Sequence, residues 1–143
     1  MYCADVNVLV YAFVKDSPSH EPCAKWIQEA LTEPRGVALP MSVLSGFLRI
    51  TTSRRVRVNP SSPDLVTDFI DWVLAHPRAF IPGSDRRDYA LARSLIREQG
   101  LTGDDMPDAM LAATAMGLGA TLVTADRGFR RFADLSLLDP TTS

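Results

Sequence analysis

Three aspartates, Asp5, Asp108 and Asp126, stand in separated segments of a 143-residue chain, and together they could hold a divalent cation. Asp5 is the sharpest case. It lies in the opening run MYCADVNVLVYAF, where almost every neighbour is apolar. A carboxylate in such surroundings is costly unless it is paired, hydrogen-bonded or bound to a metal. Asp126 directly follows the apolar stretch TLVTA, and Asp108 lies early in DDMPDAMLAATAM. Mg²⁺ takes oxygen ligands and keeps several waters, so a few carboxylates suffice, and Mn²⁺ suits the same donors. A cation held this way can orient water as a nucleophile and stabilise charge on a phosphate in transfer.

Each acid also has a purely structural use. Asp105 can cap a helix that begins at Met106, with Pro107 in its first turn where no N–H is needed. Asp108 would then favour the helix N-terminus by its charge alone. Asp126 can cap the short turn GFRRF, and Asn7 can cap the helix that leaves the first strand. Two basic clusters are candidates for phosphate contacts: Arg54, Arg55 and Arg57 in mid-chain, and Arg127, Arg130 and Arg131 after Asp126. A solvated loop accounts for such clusters equally well.

Other chemistries find little support. There is no G-x-x-x-x-G-K-[ST], G-x-G-x-x-G, G-x-S-x-G or H-E-x-x-H. The two histidines, His20 and His76, both sit beside turn residues. The net charge of −2 argues against a protein that simply coats nucleic acid. Among its basic residues 13 are Arg, which suits phosphate but also follows from GC-rich coding. Cys3 and Cys23 form no C-x-x-C and read as core thiols in a reduced compartment. No apolar run reaches the roughly 18 residues of a membrane span, and no basic region precedes the first one. The expectation is a cytoplasmic protein.

The elements that must position the acids alternate between strand and helix. YCADV, GVALP, AFIP and ATLVTAD read as strands, with LSLLD as a closing one. NVLVYAF, residues 21–31, MSVLSGFLRITT, residues 64–74, residues 85–99 and residues 105–118 read as helices. Ser17 or Ser19 is placed to cap the second of these and Ser62 the fourth, while Gly100 and Gly119 stop the last two. Inward positions are Leu65, Phe69, Trp72 and Val73 in the fourth helix, and Tyr89, Leu91, Ala92, Leu95 and Ile96 in the fifth. No repeat or linker divides residues 1–143, so one domain is expected. The alternation predicts a mainly parallel sheet with helices on both faces, and ligands outside the carboxyl ends of its strands.

The motifs then resemble a known family. D-x-N (Asp5, Asn7), D-A-x-L-A-A-x-A (Asp108 to Ala115) and G-A-T-L-V-T-A-D-x-x-F-x-R-F (Gly119 to Phe132) are similar to the PIN domain, and within it to VapC toxins of toxin–antitoxin pairs. The resemblance implies a three-layer α/β/α fold and a Mg²⁺- or Mn²⁺-dependent endoribonuclease. It implies Asp5, Asp108 and Asp126 as catalytic metal ligands, supported by Asn7 and Thr124. It also implies a VapB-type antitoxin whose C-terminal segment wraps the toxin, and a homodimer.

One departure stands out. The family places a Glu on the helix after the second strand, where this chain has Gly46 or Phe47, and no acid occurs between Glu33 and Asp64. A subset of VapC-like sequences shares the pattern L-P-x-S-V-L-x-x-F-L-R. Asp104 or Asp105 could supply the missing charge. The rival expectation is a PIN-fold module that binds antitoxin or RNA without cutting. A phosphatase with Asp5 as nucleophile fits worse, because Asn7 stands where its second acid would be and no lysine follows Lys25.

Overall fold

A computed structural model describes residues 1–142. Among these residues the chain alternates β1 (Tyr2–Ala4), α1 (Val6–Phe13), α2 (His20–Thr32), β2 (Val37–Ala38), α3 (Met41–Thr52), α4 (Pro63–Leu74) and β3 (Ala79–Phe80). It continues with α5 (Arg86–Gln99), a 3₁₀ turn (Gly103–Asp105), α6 (Met106–Gly117), β4 (Thr121–Val123), a second 3₁₀ turn (Arg127–Arg131) and β5 (Leu137–Leu138). All strand pairings are parallel, in the order β3-β2-β1-β4-β5. The fold is the expected three-layer α/β/α sandwich.

The strand order carries the functional consequence. From β1 the chain builds outward through β2 to β3, then returns to lay β4 on the other side of β1. That reversal between β1 and β4 is a topological switch point, where crossovers diverge and leave a crevice at the carboxyl ends. α1 packs on α2 and α3, α3 on α4, and α5 on α6. Right-handed crossovers put the first group on one face of the sheet and the α5–α6 pair on the other.

The three central strands are buried on both faces: Cys3, Ala4, Val37, Ala38, Leu122 and Val123 have no exposed surface. Phe47 is fully buried, stacking on Phe69 and meeting Phe13 edge to face, with centroids 5.6 and 5.7 Å away. This aromatic cluster ties α1, α3 and α4 together. Gly100 ends α5 at φ +60°, a left-handed conformation that glycine adopts without strain.

Local expectations fail in four places. Asn7 does not cap α1; Asp5 does, accepting from the Val6 N–H at 2.7 Å, and Asn7 lies within the helix. The buried stripe of α4 is Val66, Ile70 and Val73, one position on from much of the predicted one, leaving Leu65 and Trp72 exposed. Tyr89 is also exposed, since Ala92 and Leu95 carry the buried face of α5. Ser62 caps α4 as expected, whereas Ser19 precedes α2 without a side-chain cap.

Candidate active site

Asp5 ends β1 at the switch point. Its backbone N–H donates to the Val123 carbonyl at 3.0 Å, extending the β1–β4 pairing by one bond. The side chain is only 8% exposed, yet both oxygens are satisfied. Oδ1 accepts from the Val6 N–H, and Oδ2 accepts from the Thr124 hydroxyl at 2.7 Å and from Asn7 Nδ2 at 3.3 Å. Asn7 Nδ2 also lies 3.2 Å from Thr124 Oγ1, and its Oδ1 accepts from the Ala125 N–H at 3.1 Å. Thr124 Oγ1 accepts in turn from the Asp126 N–H at 3.0 Å. One polar network therefore joins the ends of β1 and β4, and Asn7 and Thr124 are its connecting residues.

Asp126 leads the 3₁₀ turn, with Oδ1 accepting from the Gly128 N–H at 2.8 Å. Its predicted capping role and its place beside Asp5 thus coexist. Asp108 lies in the first turn of α6, where Arg131 Nη2 donates to Oδ2 at 2.9 Å. The same guanidinium reaches Asp105 Oδ1 through Nη1 at 3.1 Å. Asp105 occupies the cap position of α6 without making a cap bond, because its backbone, continuing from the 3₁₀ turn, is already helical (φ −79°, ψ −15°) rather than extended as a capping residue needs.

A cavity of about 340 Å³ brings the three predicted acids together, lined by Asp5, Val6, Asn7, Val10, Tyr11, Ile50, Asp108 and Asp126. Burial raises the Asp5 carboxyl above the usual carboxylate range; the Thr124 and Val6 hydrogen bonds oppose this and Asp126 adds to it. Burial likewise raises Asp108, Asp126 raises it further, and Arg131 works the other way. The acids therefore sense one another's charge.

No three His, Cys, Asp or Glu among the described residues form a ready-made metal cage. The donor set nonetheless fits Mg²⁺ or Mn²⁺: it is all oxygen, its members repel one another, and such ions retain water between themselves and a sparse protein shell. Asp104 is exposed, and neither it nor Asp105 lines this cavity.

The absent Glu has a packing counterpart. A Cβ at Gly46 would come within 2.8 Å of Val6 Cγ2, and Phe47 is enclosed in the aromatic cluster. α3 contributes Ile50 to the cavity instead of an acid.

Asp126 also borders a polar recess of about 280 Å³, which it shares with Thr124, Arg127, Arg130, Leu137, Asp139 and Thr142. Arg54 and Arg55 are exposed on the α3–α4 connector, while Arg57 is tied to the Thr51 carbonyl and Ser61. A cavity of about 490 Å³ beside α5 and α6 contains none of the predicted site residues. Sequence reasoning missed the role of Arg131, since spacing cannot separate it from Arg130.

A sequence model of the PIN domain matches residues 2–135. The chain belongs to the PIN-domain family. This PIN domain is 39% identical over 140 residues to VapC ribonuclease Mb2897 of Mycobacterium bovis, covering 98% of the chain and 95% of that protein. It is 34% identical over 140 residues to ribonuclease VapC31 of Mycobacterium tuberculosis, covering 98% and 99%. Among solved structures it resembles FitAcB from Neisseria gonorrhoeae, with TM-score 0.71, 20% identity and full coverage of both chains. It also resembles VapBC2 from Rickettsia felis bound to a promoter DNA fragment, with TM-score 0.68, 21% identity and 96% of each chain covered. At these identities the solved structures speak for the fold.

Proposed function

We propose that the protein is a VapC-type toxin, a metal-dependent endoribonuclease. The observation that carries this reading is the convergence of Asp5, Asp108 and Asp126 on one cavity at the switch point of a PIN domain. Its similarity to two VapC ribonucleases over nearly the whole chain supports the RNA substrate.

In this reading Asp5, Asp108 and Asp126 hold Mg²⁺ or Mn²⁺. Such a cation, when bound, polarises a phosphoryl oxygen and makes water a better nucleophile at neutral pH. The protein's own contribution is placement. Thr124, Asn7 and the Val6 N–H fix both oxygens of Asp5, so the carboxylate has little freedom to turn away. Arg127 and Arg130, in the recess sharing Asp126, bind the flanking RNA phosphates. The apolar wall of Val6, Val10, Tyr11 and Ile50 keeps bulk water from one side of the acids. The partner is a VapB-type antitoxin, a reading supported by the toxin–antitoxin complexes among the structural relatives, and the toxin works in the cytoplasm as a homodimer.

A second reading rests on Gly46. Without the α3 Glu, the acids number one fewer than the family's set, which favours a module that binds antitoxin or RNA without cutting. RNA cleavage by antitoxin-free protein, with Mg²⁺, Mn²⁺ or EDTA, separates the two. Cleavage that needs metal and is absent from Asp5→Ala and Asp108→Ala supports the nuclease. Loss of Mn²⁺ binding together with absence of cleavage in the wild type supports the binding module.

A further inference from the structure

Arg131 is held in place by more than its charge. Its backbone carbonyl accepts from Gln99 Nε2 at 2.7 Å, which fixes the end of the 3₁₀ turn against α5. Its guanidinium lies 5.1 Å from the ring centroid of Phe132, a side chain almost wholly buried. From there the two terminal nitrogens divide between two acids: Nη1 to Asp105 at 3.1 Å and Nη2 to Asp108 at 2.9 Å. The remaining nitrogen, Nε, is buried with no hydrogen-bond partner. An orphaned donor is unfavourable, so the fork sits where the carboxylates need it rather than where Nε would be best satisfied.

Of Asp108's two oxygens the guanidinium engages Oδ2, and Asp108, unlike Asp105, also lines the cavity with Asp5 and Asp126. This contact tethers the Asp108 carboxylate at Oδ2 and leaves Oδ1 free of the guanidinium, which biases how the group faces the cavity. Asp105 then serves as the anchor that aims the fork, holding Nη1 at 3.1 Å while Nη2 reaches Asp108.

Resting on the metal-site reading above, we infer that Arg131 is a positioning residue: it sets the orientation in which Asp108 meets the cation. Outer groups that orient metal ligands commonly account for about 10–100-fold in metal affinity. Simple electrostatics predicts the opposite sign, because deleting a cation beside the acids should tighten metal binding. Lysine separates the two effects, since it keeps the charge but lacks the planar fork.

The test is Mn²⁺ affinity, measured by titration calorimetry and by the paramagnetic resonance of free Mn²⁺, on the wild type, Arg131→Ala, Arg131→Lys, Gln99→Ala and Asp5→Ala. Thermal melting establishes that each variant is folded, and where Arg131→Ala is not, Arg131→Lys carries the comparison. Arg131→Ala and Arg131→Lys should each weaken Mn²⁺ binding by about 10–100-fold. Gln99→Ala, which loosens the backbone that carries Arg131 while leaving the guanidinium its two carboxylates, should weaken binding in the same direction but by less than either Arg131 variant. Wild-type affinity in Arg131→Lys, or unchanged or tighter binding in Arg131→Ala, overturns the inference while leaving the metal site standing. Equal binding by wild type and Asp5→Ala would instead remove the metal site itself, and this inference with it.

Discussion

The Thr124 hydroxyl donates to Asp5 Oδ2 at 2.7 Å, linking residues 119 positions apart in sequence. Both side chains are buried, and the bond crosses from the end of β4 to the end of β1. It is thus a structural bond at the switch point as well as a support for the candidate ligand.

Thr124→Val keeps the shape and removes the donor. It should destabilise the metal-free protein by about 1–3 kcal/mol, because a buried charged acceptor loses a partner. Thr124→Ser restores the hydroxyl and should recover most of that loss. Urea unfolding of the three proteins in EDTA reads this directly, and equal stability of the Val and Ser variants would exclude it.

Gly46→Ala should destabilise by about 1–3 kcal/mol, the usual range for forcing atoms into a packed site. The strain arises against Val6, whose Cγ2 would lie 2.8 Å from the new Cβ. Combining it with Val6→Ala should therefore be less damaging than the sum of the two single changes. A double-mutant cycle from denaturant unfolding measures this coupling, and strict additivity would place the strain elsewhere.

Which parts of this site could be read from the sequence follows from how local their causes are. Asp5 was conspicuous because apolar neighbours announce a buried carboxylate, and the D-x-N and T-A-D spacings place polar atoms at strand ends. Alternating strands and helices gave the layers and the crevice. What escaped was set by tertiary contact. Asn7 is drawn into the β1–β4 network, so Asp5 takes the cap that Asn7 was expected to make. Leu65 and Val66 are equally apolar, and the packing of α4 against α3 and the sheet turns Val66 inward and leaves Leu65 exposed. Arg131 meets acids 23 and 26 positions away, a pairing that no local pattern encodes.

The two thiols supply a prediction in pH. Burial pushes Cys3 up to about 12 and Cys23 up to about 11, with Asp5 and Asp139 respectively adding to the effect. In an unfolded chain both ionise near 9.0. Above that pH the unfolded state has lost protons that the folded state retains, so stability is complete below about pH 9 and declines as pH rises through about 11. Urea midpoints at pH 8 and pH 10 should show this decline, and Cys23→Ala should lessen it. Native protein at pH 8 should resist iodoacetamide at both cysteines, which have no exposed surface, and should react once unfolded.

The last prediction concerns which basic cluster would meet RNA under the proposed nuclease function. Arg127 and Arg130 border a recess that includes Asp126, whereas Arg54 and Arg55 lie on the exposed connector and border neither that recess nor the acidic cavity. A phosphate contact releases counterions, so each one lost should flatten the plot of log affinity against log salt by about 0.7 for single-stranded RNA. In EDTA, where cleavage is suppressed, Arg127→Ala and Arg130→Ala should each flatten the slope and weaken binding to unrelated RNAs alike. Arg54→Ala and Arg55→Ala should leave the slope unchanged. The reverse ranking would lay the RNA along the α3–α4 connector, and the apolar wall that includes Ile50 of α3 would then be its path into the acids.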